Sequence, residues 1–136
     1  MQNASTEAPV SAADAAIAHI RRGRQELAAG RLDSAETEFH AALAADSRNA
    51  FAHRELADIY RRRGKLDAAV QELQVSLASR DSAAARVTLA RIYLEQKKPA
   101  LARAEVEKAV KLAPNYAEAR ELLDHLQKSK PTGGAQ

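Results

Sequence analysis

Cysteine is absent from the 136 residues of this chain. That excludes disulfides, thiolate nucleophiles, cysteine zinc sites and attached c-type haem. It leaves the compartment open, because a chain without thiols is indifferent to redox state. Aromatic residues make up only 4%, so alanine and leucine must fill the core, and small side chains suit closely packed helices. Glycine and proline are scarce, at five and four residues, while 29% of residues are charged, so the body of the chain lacks the composition of a disordered tail. No segment approaches the roughly 18 apolar residues of a membrane span. Met1 to Val10 is polar and has no apolar run, so no signal peptide is expected. A cytosolic protein without membrane insertion is the expectation. The net charge of +3 falls well short of a nucleic-acid footprint.

What the chain does have is a period. Gly30-Arg31-Leu32-Asp33-Ser34-Ala35 returns 34 residues later as Gly64-Lys65-Leu66-Asp67-Ala68-Ala69. Leu43 returns as Leu77, and Gly23 as Ala57. A third copy follows at a step of 33, taking Leu56 to Leu89, Tyr60 to Tyr93, Ala69 to Ala102 and Leu77 to Val110. A period in this range signals a stacked repeat array rather than a globule around one centre.

Within each copy the apolar residues recur at helical spacings. Ser11 with Asp14 resembles a capping-box start for a helix reaching about Ala29, and Gly30 ends it. Further helices are expected at about 32–45, 50–63, 66–79, 83–96, 100–112 and 116–128. Asp46-Ser47-Arg48-Asn49, Arg80-Asp81-Ser82 and Pro114-Asn115 supply the turns. Lys97-Lys98 stands where the earlier copies have glycine, and Pro99 suits a first helical position. Residues 1–10 read as a flexible lead and 130–136 as a frayed end or linker, leaving 11–129 as the folded domain.

The chain resembles the tetratricopeptide repeat (TPR) family. Numbering units from Ala16, Ala50 and Ala83, position 8 is Gly23, Ala57 and Ala90; position 20 is Ala35, Ala69 and Ala102; position 27 is Ala42, Ser76 and Ala109. These are the small residues the family pattern wants. Phe39, Leu73 and Val106 fill its large position 24. Small residues let two helix backbones approach, and larger ones there would wedge them apart at roughly 1–3 kcal/mol. The first unit departs from the pattern, with Arg22 and Glu26 where Leu56, Leu89, Tyr60 and Tyr93 stand later. A terminal repeat tolerates this because it has no neighbour on one side. Only the third unit has the family's late proline, Pro114. The resemblance implies an all-α solenoid of three helix-turn-helix units (16–49, 50–82, 83–116) closed by a capping helix, 117–128.

In the family the first helix of each unit lines a concave face. Positions 2, 5, 9 and 12 share one helical stripe. That stripe is Ile17, Ile20, Arg24 and Leu27, then Phe51, Arg54, Asp58 and Arg61 with Arg62 beside it, then Ala84, Val87, Arg91 and Leu94. The expected groove is apolar at its ends and rich in arginine in the middle. Arginine grips carboxylates with a planar fork, so an acidic peptide with a few apolar anchors is the implied ligand. The competing reading is that these arginines solvate a helix face and pair with Glu55, Asp58 or Glu95. The resemblance thus implies an adaptor that binds a segment of another protein. The alternatives are weak self-assembly through the terminal units, or an interaction module of a larger protein. Some relatives grip a chaperone's C-terminal carboxylate. Here the residues at those positions are Ile20, Arg24, Glu55, Ala84 and Thr88, and only Arg24 is basic.

Other signals are weaker. Arg61-Arg62-Arg63 points in three directions around a helix and suits its C-terminal dipole rather than nucleic acid. His19, His40, His53 and His125 are too dispersed for a metal site. No phosphate loop, nucleophile elbow or tuned acid–base pair is present, so neither an enzyme nor a cofactor is expected. Tyr60 and Tyr93 read as core.

Overall fold

The computed structural model describes residues 10–129. The expected lead (except Val10) and tail lie outside them. Among the described residues there are seven helices and no strand. They are α1 (Ala12–Ala28), α2 (Leu32–Ala45), α3 (Ala50–Arg62), α4 (Leu66–Ser79), α5 (Ala83–Glu95), α6 (Pro99–Leu112) and α7 (Ala117–Lys128). α1 with α2, α3 with α4 and α5 with α6 form the three hairpins, each stacked on the next, and α7 packs against α5 and α6.

The helices begin and end by two recurring devices. The first helix of each hairpin is capped by a short polar side chain. Ser11 Oγ accepts from the Asp14 amide at 3.0 Å, Asn49 Oδ1 from Ala52 at 3.0 Å and Ser82 Oγ from Ala85 at 3.1 Å. Each such cap contributes about 1 kcal/mol. The same helices end on a left-handed residue, with φ of 79° at Gly30, 77° at Gly64 and 63° at Lys97. The following amide then bonds back five residues, Arg31 to the Glu26 carbonyl, Lys65 to Tyr60 and Lys98 to Tyr93, at 2.8–2.9 Å. This is the Schellman arrangement. Lys97 adopts the conformation without glycine's freedom from a Cβ.

Small and large positions face each other inside each hairpin, and their sizes are matched unit by unit. Gly23 lies against the ring of Phe39, so that a Cβ built on it would sit 2.6 Å from a ring carbon. Ala57 shares a cluster with Leu73, and Ala90 shares one with Val106. The largest residue at position 24 therefore meets the smallest at position 8. Phe39, Leu73, Val106 and the alanines at position 20 are fully buried.

The two ends of the stack are polar. Arg22 is exposed at the position where Leu56 and Leu89 are buried against the preceding unit. At the other end Ala119 and Leu126 of α7 are buried, with Leu122 and Leu123 packed inward, while Arg120, Glu121, Asp124, His125 and Lys128 are exposed.

Candidate functional site

Part of the stripe, from α1, α3 and the start of α5, lines two adjoining hollows. Ile17 is 51% exposed and Phe51 46%, and with Ile20, Arg24, Asn49 and Glu55 they line a concavity of about 340 Å³. A second hollow of about 190 Å³ adjoins it, lined by Ala50, Phe51, Arg54, Ser76, Arg80, Ser82 and Ala84. Phe51 is common to both. The guanidinium carbon of Arg54 lies 5.7 Å from its ring centroid and that of Arg80 5.4 Å, within cation–π range. Leu27 is half-buried against the first hairpin's core.

The arginines of the stripe separate into two classes. Arg61 donates to Asp58 at 3.1 Å and to Glu95 at 3.0 Å, Arg62 pairs with Asp58 at 2.9 Å, and Arg91 reaches Glu118 of α7 at 3.1 Å. These three have close carboxylate partners within the chain. Arg24 and Arg80 make no ion pair among the described residues, and Arg54 has only Glu55 at 3.8 Å. Arg24, Arg54 and Arg80 line the hollows that share Phe51. Sequence reasoning did not select Arg80, which belongs to a turn and lies off the helical stripe.

Glu55 lies half-buried on the floor between these arginines. Burial pushes its carboxyl above the usual carboxylate range, and Asp58 pushes the same way. Arg54, Arg24 and Arg62 pull it back. A partly buried carboxylate without a close partner is an unusual floor for a cationic groove.

One expected groove residue is corrected by the structure. Val87 is 1% exposed and packs with Ala109 and Ala119 beneath α7. It is core because α7 packs on the third unit as α3 packs on the first, where Ile20 lies with Ala42 and Ala52. Leu94 is half-buried against α7, beside Leu122 and Leu123. Tyr116, at the entrance to α7, has its hydroxyl raised by burial and by Glu118, with Arg91 and Arg54 opposing. The two hollows lie over the first two units and the start of α5.

His19, His53, Arg86 and Arg63 make contacts that follow the repeat. His19 Nδ1 meets Glu38 at 2.8 Å, His53 Nδ1 meets Glu72 at 2.8 Å, and Arg86 meets Glu105 at 2.7 Å. All three join position 4 to position 23 of one unit. Between units, Arg63 bonds to Asp33 and Glu36, and Gln96 donates to Asp67 at 2.9 Å. Both join position 14 to position 18 of the unit before. No group of three or more His, Cys, Asp or Glu side chains placed to hold a metal is found among the described residues. No helix among them is long and apolar enough to cross a membrane.

Comparison with known proteins agrees with this geometry. Two tetratricopeptide repeat family models match, over residues 20–85 and 83–116. The chain is similar to DnaJ homolog subfamily C member 3 of Homo sapiens, at 34% identity over 112 residues, and to that of Gallus gallus, at 31% over 110. These alignments cover 82% and 81% of this chain but only 22% of either relative, so the chain spans about a fifth of the length of the curated relatives it matches. Among solved structures, the first TPR of Spaghetti (RPAP3) bound to the HSP90 peptide SRMEEVD superposes with a TM-score of 0.79 at 20% identity, covering 89% of this chain and 97% of that one. The Arabidopsis OM64 TPR domain gives 0.78 at 16%, covering 88% and 99%. MamA gives 0.75 at 19%, covering 85% and 68%. Small and large positions in register over three units, the hairpin stack they build and the match of repeat models to residues 20–116 together place this chain in the tetratricopeptide repeat family.

Proposed function

We propose that this chain is a protein-interaction module that holds a segment of another protein in its concave groove. The observation that carries the reading is the joint exposure of Ile17 and Phe51 beside guanidinium groups with no strong partner of their own. Exposed apolar area rimmed by unspent cationic donors favours a ligand that is acidic with apolar anchors. The RPAP3 neighbour, bound to an HSP90 peptide, supports a peptide as the kind of ligand this fold receives. The chaperone tail itself is a poor fit. Ile20, Ala84 and Thr88 offer no cation at the carboxylate-gripping positions, and Glu55 opposes one.

Self-assembly is the weaker alternative, because both ends of the stack present charged or polar side chains where another unit would need apolar ones. A role as one module of a longer protein agrees with the adaptor reading and with the short span over the curated relatives. The test compares affinity capture by the unaltered chain and by an Arg54→Glu, Phe51→Ala variant, with mass spectrometry of what is retained. Loss of specific partners at an unchanged thermal midpoint is the expected result. Retention of the same partners would refute the groove, and growth of light scattering with concentration would favour assembly.

A further inference from the structure

We infer that the open part of the groove takes an internal, extended acidic segment of about six residues with one large apolar side chain, and that Glu55 turns away chain ends. This rests on the groove reading above and narrows it to one ligand class.

Length comes first. The two hollows run from Ile17 of α1 across α3 to Ala84 of α5. Packed helices lie 8–10 Å apart, so this path is about 20 Å. An extended chain advances about 3.3 Å per residue, which gives about six residues.

Charge and shape come next. Arg24, Arg54 and Arg80 surround the site, and Glu55 is the carboxylate among them. The guanidinium carbons of Arg54 and Arg80 lie 5.7 and 5.4 Å from the Phe51 ring centroid, and a guanidinium so placed can still donate to carboxylates. The exposed sides of Ile17, Ile20 and Phe51 bound the apolar hollow on the floor. A single large side chain would fill it while acidic neighbours on either side reach Arg24 and Arg80.

Glu55 decides between an internal segment and a chain end. It is half-buried and already draws on Arg54 and Arg24. A main-chain carboxylate lowered onto the floor would meet its like charge at close range. Side-chain carboxylates at the rims keep their distance.

Two peptide display libraries panned against the full chain test this, one with the random segment fused at both ends and one with a free C-terminus. The doubly fused library should enrich an acidic–apolar–acidic pattern, and no preference should appear for a terminal carboxylate. A consensus anchored on the free C-terminus, or a neutral or basic one, would overturn the inference while leaving the groove reading intact. No enrichment from either library would overturn both. For an amidated synthetic copy of the enriched peptide, Arg80→Ala should weaken binding about tenfold, the loss of one charge-assisted contact. Glu55→Gln should leave that amidated peptide within about twofold but tighten a free-acid peptide ending over the floor about three- to tenfold, by removing one nearby like charge. Unchanged affinity of the Arg80→Ala variant, no gain for the free-acid peptide with Glu55→Gln, or equal binding of a single-stranded DNA oligonucleotide would also overturn it.

Discussion

Substituting Gly23 with alanine places two large effects in opposition, and the structure says which wins. In a helix interior alanine is favoured over glycine by about 0.8–1 kcal/mol. Against this, the new Cβ would stand 2.6, 2.7 and 2.9 Å from three carbons of the Phe39 ring. Phe39 is fully buried, so its ring has no free space to move into. Overpacking of this kind costs typically 1–3 kcal/mol, and three simultaneous contacts below normal range argue for the upper part. The net expectation is a loss of about 1–2 kcal/mol. Phe39→Leu alone should also destabilise, since it leaves a void in a close-packed core. In the Phe39→Leu background, however, the obstructing ring is gone, and Gly23→Ala should now stabilise by about 0.5–1 kcal/mol through helix propensity. The coupling energy is then about 2 kcal/mol, well above the few tenths expected of independent sites. Urea unfolding of the four chains, followed by far-UV circular dichroism, measures it. A Gly23→Ala change that is neutral in both backgrounds, or has the same sign in both, would refute the matching of sizes across the hairpin.

Three further outcomes follow from the same coordinates. Lys97→Gly should stabilise by about 1 kcal/mol in urea unfolding, because it relieves a side chain held at φ 63° while keeping the turn. His53→Ala should lose about 1–2 kcal/mol, since both ring nitrogens meet oxygens, Glu72 at 2.8 Å and the Ser47 carbonyl at 3.0 Å; the more exposed His19, with the Glu38 contact alone, should lose less. Glu55→Gln should raise stability at neutral pH. The folded-state pKa of Glu55 lies above its ordinary 4.5, so its ionisation opposes folding at pH above the raised value, and that opposition fades as pH falls through the raised value toward 4.5. The advantage of the glutamine variant should shrink over that window, and an advantage that grew with acidity would reverse the assigned cause.

Much of the architecture was legible because the signals for it are local. Gly30 and Gly64 mark turns by their own backbone freedom, Ser11, Asn49 and Ser82 precede helices as caps, and the column Ala35, Ala69, Ala102 marks a close approach of helices. The candidate site was less legible because it depends on distant partners. Position 5 holds Ile20, Arg54 and Val87, and only the packing of the following helix shows that Val87 is fully core while Arg54 stays half-exposed. Arg24 and Arg91 occupy one column, but only Arg91 finds a glutamate, and that glutamate belongs to α7. Arg80 carries no periodic mark at all. Two contact sets could have been read in advance. His19, His53 and Arg86 each stand 19 residues before a glutamate, and Asp33 and Asp67 recur as acceptors for residues of the next unit.

The bonds between neighbouring units also have a consequence for how the chain could change. Position 14 of one unit meets position 18 of the unit before it at both junctions, and each unit touches mainly those beside it. The middle unit therefore presents the same kind of face forward that it receives behind. A duplicated copy of residues 50–82 would find an acceptor for its own donor in place and hand on an acceptor to the next unit, while α7 still capped the far end. Such a chain would gain a further stretch of uncovered groove without a new type of contact. The length of ligand this architecture holds is thus set by how many middle units lie between its two dissimilar ends, and a genetic duplication could lengthen it in one step.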